Sequence, residues 1–327
     1  MPSEINNIAV FTSGGDAPGM NAAIRAVVRA SIFYKKNIFG IYRGYEGMID
    51  NDIVELDARS VGNIIQRGGT ILKSARSEEF RTAEGRKQAY ENIKSRGIDA
   101  LVAIGGDGTF TGLHAFYKEF GLPVICVPGT IDNDLPGTDY TIGYDTATNT
   151  VVDAVDKIRD TALSHNRLFF IEVMGRDSGA IAINSGIAGG AAAIIIPEEE
   201  MTIDELVAKL DKGGESKKSS SLVIVAEGGK SGSAMDIAAE VTKRFPYYDT
   251  KVTILGHLQR GGAPTYFDRV LASKMGVYAV EGLLDGKTDV MVGIKDNLTV
   301  FNDFETIMSN GHEIDTDALR ISKILSI

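Results

Sequence analysis

The stretch from Ala100 to Asp134, ALVAIGGDGTFTGLHAFYKEFGLPVICVPGTIDND, constrains the fold more than any other part of the chain. One apolar run ends in Gly105-Gly106-Asp107-Gly108-Thr109. A helix-length segment follows, and a second apolar run ends in Pro128-Gly129-Thr130-Ile131-Asp132-Asn133-Asp134. Two short β-type runs joined by such a crossover are expected to lie parallel in one sheet. Both end in Gly, Asp and Thr, so these groups gather beyond the strand carboxyl ends, where open α/β sheets hold their ligands.

The alternation continues along most of the chain. Strands are expected at Asn7–Phe11, Ile38–Tyr42, Leu168–Val173, Ala192–Ile196, Leu222–Ala226 and Val252–Leu255. Helices are expected at about Asn21–Phe33, Asp57–Gln66, Glu84–Arg96, within Asp145–Ser164, and at Ala180–Gly190, Thr202–Leu210, Ala234–Phe245 and Asp268–Leu284. Gly44 and Gly47 break the segment after the second strand, Lys212–Ser221 is a polar linker, and the tail carries no sharp signal. The pattern predicts an α/β protein with mostly parallel sheets, and a shift near Thr141 marks the start of a second domain. The length of 327 residues suits two domains.

Composition narrows the function classes. A formal net charge of −10 disfavours nucleic acid or an anionic membrane as partner, so an anionic substrate would need local Arg and Lys. The one cysteine, Cys126, sits in the apolar run PVICVP and reads as a core residue; no disulfide can form within the chain. With no signal-peptide pattern and no run long enough to span a bilayer, a cytoplasmic protein is expected.

Several loops carry chemistry. Thr12-Ser13-Gly14-Gly15-Asp16-Ala17-Pro18-Gly19-Met20 links a strand to a helix, which suits a phosphate held by free N–H groups, or a tight turn. It is neither the dinucleotide fingerprint nor a P-loop. Arg25 and Arg29 share a helix face, either solvated or holding a second anion. The glycine-rich basic loop Arg67–Arg76 suits polyphosphate or an ordinary surface turn. Asp107 among glycines reads as a Mg²⁺ residue bridging to phosphate, or as a turn cap. Asp132 and Asp134, two apart, would share a side of an extended segment, where a neighbouring carboxylate or burial could tune one for general-base work on a hydroxyl. His257 and Arg260 stand among glycines after a strand, as packing or as ligand contacts.

The ordered set TSGGDAPGMNAAIR, KSAR, GGDGT, PGTIDND, MGR, EGG and GHLQRGG, from Thr12 to about Gly262 with similarity to about Glu281, resembles the bacterial ATP-dependent 6-phosphofructokinases. The resemblance implies two doubly wound, Rossmann-like three-layer domains: an ATP-binding one at about 1–141 plus 258–308, and a sugar-phosphate one at about 142–257 plus 309–327. It implies a homotetramer that moves the γ-phosphoryl of MgATP to the 1-hydroxyl of fructose 6-phosphate. By position, Gly15, Arg76 and Gly106, Asp107, Gly108 and Thr109 would contact ATP, and Asp107 would hold Mg²⁺. Asp132 would be the base, with Thr130, Ile131 and Asp134 beside it, and Arg76 would steady the transferring phosphoryl. Met174, Gly175, Arg176, Glu227, His257 and Arg260 would bind the sugar phosphate, joined by Arg167 and Lys251 from a neighbouring subunit. Arg25, Arg29, Arg159 and Lys218 would form an effector site for ADP or phosphoenolpyruvate.

Two glycines bear on the donor. Pyrophosphate-dependent relatives usually carry Asp in place of Gly108 and Lys in place of Gly129, so both positions favour ATP. A pyrophosphate enzyme and a non-catalytic sugar-phosphate-binding subunit remain the alternatives; intact Asp107, Asp132 and Arg76 speak against the latter. Three positions depart from the family pattern. Lys251 replaces an Arg, keeping charge but losing the bidentate fork. Ala58 replaces an effector-site Arg, although Arg59 adjoins it, and Ala192 replaces an effector-site Glu. Regulation is therefore expected to be weak: ADP titrations should give little activation and phosphoenolpyruvate little inhibition, and strong saturable responses to both would show a working effector site.

Overall fold

The computed structural model describes residues 5–163, 167–215, 221–244, 249–309 and 314–325. The chain divides into two compact units, one of Met1–Ile131, Leu135–Asp145 and Arg260–Gly311, the other of Asp132–Asp134, Thr146–Gln259 and His312–Ile327. No helix among the described residues is long and apolar enough to cross a membrane.

The first unit begins with β1 (Asn7–Thr12), α1 (Met20–Phe33), β2 (Asn37–Ile41), α2 (Gly44–Ile49) and β3 (Ile53–Glu55). It continues through α3 (Ala83–Ser95), β4 (Ala100–Gly105), α4 (Asp107–Phe120), β5 (Val124–Thr130) and β6 (Ile142–Gly143). α5 (Tyr144–Leu163) leads into the second unit, which holds β7 (Arg167–Val173), α6 (Ala180–Ala188), β8 (Ala193–Ile195), α7 (Ile203–Glu215), β9 (Ser221–Ala226), α8 (Ala234–Arg244) and β10 (Asp249–Ile254). The chain then returns to the first unit for α9 (Tyr266–Leu284), β11 (Val290–Lys295), β12 (Leu298–Asp303) and α10 (Phe304–Ser309), and ends in the second with α11 (Thr316–Leu325).

In the first unit the strands run in the order β12-β11-β5-β4-β1-β2-β3, with β6 beside β5. The central pairs are parallel, and β3 and β12 join the two edges antiparallel. Because strand side chains alternate, Ala9, Phe11, Leu101, Ala103, Val124 and Cys126 enter the cluster built with Tyr45, Phe80, Ile93, Phe110, Leu113 and Phe116 on one face. The other face is covered by α1 and α9. These two helices pack closely: a Cβ on Gly276 would lie 2.7 Å from Ala26 Cβ. The second unit is a four-stranded parallel sheet, β10-β7-β9-β8. Leu168, Phe170, Val223 and Val225 pack against Leu206 and Leu210 of α7 and Ile237 and Val241 of α8, while α6 lies on the opposite face with α11 against it.

Three sequence expectations are corrected. Asp57–Gln66 is a run of turns, not a helix. The Asp57 carboxylate accepts from Arg59 N, Ser60 N and Ser60 Oγ at 2.7–2.9 Å, and Asn63 is left-handed with φ 54°. Asp side-chain bonds to nearby backbone compete with a helix ladder in this way. Conversely, Gly44 and Gly47 lie inside α2. The linker expected from Lys212 is helical through Glu215 as the end of α7; residues 216–220 lie outside the described set, and Ser221 opens β9. The tail folds as a hairpin, β11–β12, turned by Asp296 and Asn297 at φ 51° and 64°, the paired left-handed residues that a tight hairpin requires.

Packing explains the helical Gly47. A Cβ there would sit 1.7 Å from the Tyr42 carbonyl oxygen. Gly47→Ala is expected to destabilise the chain by at least the ~1–3 kcal/mol typical of overpacking, measured as a lower denaturant midpoint; an unchanged midpoint would show that the α2 turn yields freely.

Candidate active site

In the first sheet the chain runs from β1 to β2 on one side and then crosses to β4, β5 and β11 on the other. That reversal places a crevice beyond the carboxyl ends of β1 and β4, where open sheets bind ligands. The loops there are close. A Cβ on Gly105 would meet Thr109 Oγ1 at 2.4 Å and Ser13 O at 2.6 Å, and one on Gly14, φ +82°, would lie 3.6 Å from Thr109 Oγ1. A Cβ on Gly106 would lie 3.7 Å from Thr130 Cβ. Gly14 and Gly15, Gly106–Thr109 and Thr130 are thus brought together.

α4 starts at Asp107 with Gly106 as its N-cap, so an exposed carboxylate and the free N–H groups of a helix start share one place. Gly108 faces open space: nothing lies within 4 Å of a Cβ built there. The turn is braced from below by Tyr45, 7% exposed, whose hydroxyl donates to Thr109 O. Burial pushes that phenol well above its usual pKa, keeping it protonated as a donor. Tyr45 was not legible as a site residue, since it falls between Gly44 and Gly47 in a segment expected to be broken.

The loop Arg67–Arg76 lies beside this cluster. A Cβ on Gly68 would be 2.3 Å from Gly262 O, and one on Gly69 would be 3.9 Å from Asp16 Oδ2. Arg76, at the far end of the loop, is exposed. Arg260 belongs to the same unit: its Nη1 donates to Asp16 O at 3.2 Å and would stand 2.5 Å from a Cβ on Gly15. The absence of a side chain at Gly15 therefore makes room for a guanidinium.

β5 delivers Thr130 and Ile131, both buried, and then Asp132, which is 7% exposed. Thr141 Oγ1 donates to Thr130 O at 2.7 Å and fixes the strand end. The expectation that Asp132 and Asp134 share a side of an extended segment is not met. Asn133 between them is left-handed, with φ 49°, so the alternation of a strand does not carry through and only Asp132 is deeply buried.

The second sheet has its own reversal: from β7 the chain goes through β8 and β9 on one side and returns to β10 on the other. Gln259, fully buried, accepts from Met174 N at 3.1 Å and donates to Gly256 O at 3.0 Å. It ties the carboxyl ends of β7 and β10 together. Glu227, after β9, accepts from Gly175 N at 3.4 Å and Arg176 N at 3.1 Å. Arg176 is left-handed at φ 57°, and its carbonyl would be 2.5 Å from a Cβ on Gly228. Met174, Gly175, Arg176, Glu227 and the exposed His257 thus form one cluster of strand ends.

Other expected residues lie elsewhere. Arg167 stands at the opposite, amino-terminal end of β7, and Lys251 is the third residue of β10, paired with Phe169. Asp249 between them accepts from Arg167 Nε at 2.9 Å and pairs with Lys251 Nζ at 2.6 Å. These bonds, that of Lys251 first, hold the Asp249 carboxyl below the usual range. Arg25 and Arg29 share the solvent side of α1. Partial burial, with the Arg29 charge second, lowers the Arg25 pKa. Arg159 of α5 is turned to the Gly189 and Gly190 carbonyls after α6, a helix-end cap. Lys218 lies outside the described residues.

Against known proteins, the family model described as Phosphofructokinase matches residues 7–283. An ATP-dependent 6-phosphofructokinase 2 of Bacteroides thetaiotaomicron is 54% identical over 320 residues, covering 98% of each chain. An ATP-dependent 6-phosphofructokinase of Halalkalibacterium halodurans is 54% identical over 323 residues, covering 99% of this chain and 100% of that protein. Among solved structures, Pichia pastoris phosphofructokinase in the T-state superposes with a TM-score of 0.90 at 38% identity over 98% of this chain, which spans 36% of that longer one. A pyrophosphate-dependent phosphofructokinase from Marinobacter aquaeolei shares the fold at a TM-score of 0.82 and 21% identity, with 98% of this chain and 91% of that one covered. The chain belongs to the phosphofructokinase family.

Proposed function

We propose that the chain is an ATP-dependent 6-phosphofructokinase, moving the γ-phosphoryl of ATP to the 1-hydroxyl of fructose 6-phosphate to give fructose 1,6-bisphosphate and ADP. The observation that carries this is the meeting of three strand ends, β1, β4 and β5, where glycine-freed backbone and the carboxylate of Asp107 lie together and Thr130 leads straight into buried Asp132.

Gly15, Gly106, Gly108 and Thr109 bring backbone and hydroxyl donors to the nucleotide phosphates, and Arg76 brings charge to the transferring group. Asp132 takes the proton from the sugar 1-hydroxyl as that oxygen bonds to phosphorus and the bond to the ADP oxygen breaks. Thr130 and Asp134 flank it. Met174, Gly175, Arg176, Glu227, His257 and Arg260 hold the sugar phosphate. The donor set fits Mg²⁺. Among the described residues no group of three or more His, Cys, Asp or Glu could hold a metal by itself, and Mg²⁺ takes one or two carboxylates completed by phosphate oxygens and water. Asp107 would hold it, and the ion would neutralise charge on the phosphate oxygens.

ATP is favoured over pyrophosphate as donor. Gly108 opens on free space, which leaves room for a bulky phosphate chain. At Gly129 a Cβ would meet Ile104 Cγ2 at 2.9 Å and Met20 Cε at 3.2 Å, so a lysine there would have to displace the Ile104 and Met20 side chains. A homotetramer with sites shared between subunits is part of the same proposal. What supports it is the placement of Arg167 a full strand length, about 20 Å, from the Met174–Arg176 end of its own sheet, with Lys251 joined to it through Asp249. A cytoplasmic setting suits the single buried cysteine. ADP or phosphoenolpyruvate at Arg25 and Arg29 remains part of the proposal only in weakened form, given Ala58 and Ala192.

The first experiment supplies the purified protein with fructose 6-phosphate, Mg²⁺ and either ATP or pyrophosphate. Product with ATP is expected, and product mainly with pyrophosphate would overturn the donor assignment. Asp132→Asn should lower kcat by roughly 10²–10⁴; near-parental turnover would remove Asp132 as the base. Lys251→Arg should lower the fructose 6-phosphate half-saturation by about two- to ten-fold, because a guanidinium can keep Asp249 and still grip phosphate. An unchanged value would show that the ammonium already suffices.

A further inference from the structure

Asn21, the second residue of α1, is 1% exposed. Asparagine is a poor choice for a helix and for a core, so its side chain invites a reason. The reason lies in the loop Arg67–Arg76. Asn21 Nδ2 donates to Arg67 O and to Gly68 O, each at 3.1 Å, and Oδ1 accepts from Ile71 N at 2.7 Å. Two carbonyls can only accept and an amide N–H can only donate, so the partners fix the orientation of the amide. The loop has no regular secondary structure, and its backbone groups need partners wherever they are turned from water. One buried side chain supplies three of them.

Among the described residues, other contacts carry the anchorage to Lys73. Thr12 Oγ1 lies 2.8 Å from both Thr70 Oγ1 and Lys73 O, Arg43 N donates to Leu72 O at 2.8 Å, and Leu72 is fully buried. Arg76, three residues on, is exposed. We propose that Asn21 is a positioning residue for the reaction, holding residues 67–71 so that Arg76 is presented at a fixed place. This rests on the assignment of Arg76 to the transferring phosphoryl. Only an amide offers this donor and acceptor set: a carboxylate would face two carbonyl oxygens, and a hydroxyl cannot satisfy three groups.

The test compares the full-length parent with Asn21→Ala, Arg76→Ala and the double variant. Asn21→Ala should lower kcat by about ten- to hundred-fold, the scale of a small misplacement of a reacting group, with fructose 6-phosphate half-saturation within about twofold. In the Arg76→Ala background the same change should cost less than about threefold, because residues that act through one another are not additive. An equal cost in both backgrounds, or a parental kcat for Asn21→Ala, overturns the proposal. Limited trypsin digestion reads the loop without activity: cleavage after Arg67, Lys73 or Arg76 should speed up in Asn21→Ala while other sites keep their rates, and an unchanged pattern overturns the anchoring. If thermal melting shows Asn21→Ala unfolded, Asn21→Asp, which keeps the acceptor and loses both donors, takes its place in each assay. A parent that makes no fructose 1,6-bisphosphate would instead sink the assignment of the reaction, and trypsin would still decide whether Asn21 holds the loop.

Discussion

The contact on which the first unit turns is the meeting of β1 and β4 at their carboxyl ends. Ser13 N donates to Ile104 O at 3.1 Å, and Thr109 Oγ1 and Ser13 O stand so near Gly105 that no side chain could be inserted. This close approach lets the sheet reverse its winding while keeping two glycine loops side by side. Any residue with a Cβ at Gly105 would force the strand ends apart and move the start of α4 with them. The helix N-terminus, the exposed Asp107 and the open space at Gly108 are all consequences of that packing.

The second unit meets the same demand with polar side chains. Gln259 joins the ends of β7 and β10, and Glu227 gathers the N–H groups of Gly175 and Arg176. A buried polar group such as Gln259 is costly unless satisfied, and here each bond also fixes a backbone that would otherwise be a free loop. The expected anion-binding cations are tethered in a related way. Arg260 is held by the Asp16 carbonyl, Arg159 by the carbonyls after α6, and Arg167 and Lys251 by Asp249. A chain with net charge −10 thus sets several of its positive groups at defined points, where they act locally against the overall field.

Much of this was legible in the sequence, because strands buried on both faces and amphipathic helices leave strong periodic signals. The runs ending in GGDGT and PGTIDND gave β4, α4 and β5 and their parallel pairing. What failed did so for identifiable reasons. Asp57 captures its neighbours' N–H groups and unwinds an expected helix. Gly44 and Gly47 look like breakers, yet Gly47 is needed within α2 because the Tyr42 carbonyl lies against it. The hairpin at Asp296-Asn297 hides in a tail whose apolar alternation is short.

The sequence by itself determined the fold class, the family and which residue types stand at the strand ends, since these depend on local pattern and on motif order. Only the tertiary structure decided which glycines serve a ligand and which serve packing. Gly15 makes room for Arg260, Gly129 is closed off by Ile104 and Met20, and Gly108 alone of the three opens on free space. It also separated Asp132 from Asp134 through the left-handed Asn133, and set Arg167 at the far end of its strand with Lys251 joined to it through Asp249. The physical reason is common to all of these. Steric exclusion and the direction of a side chain are set by neighbours distant in the chain, and no local pattern encodes them.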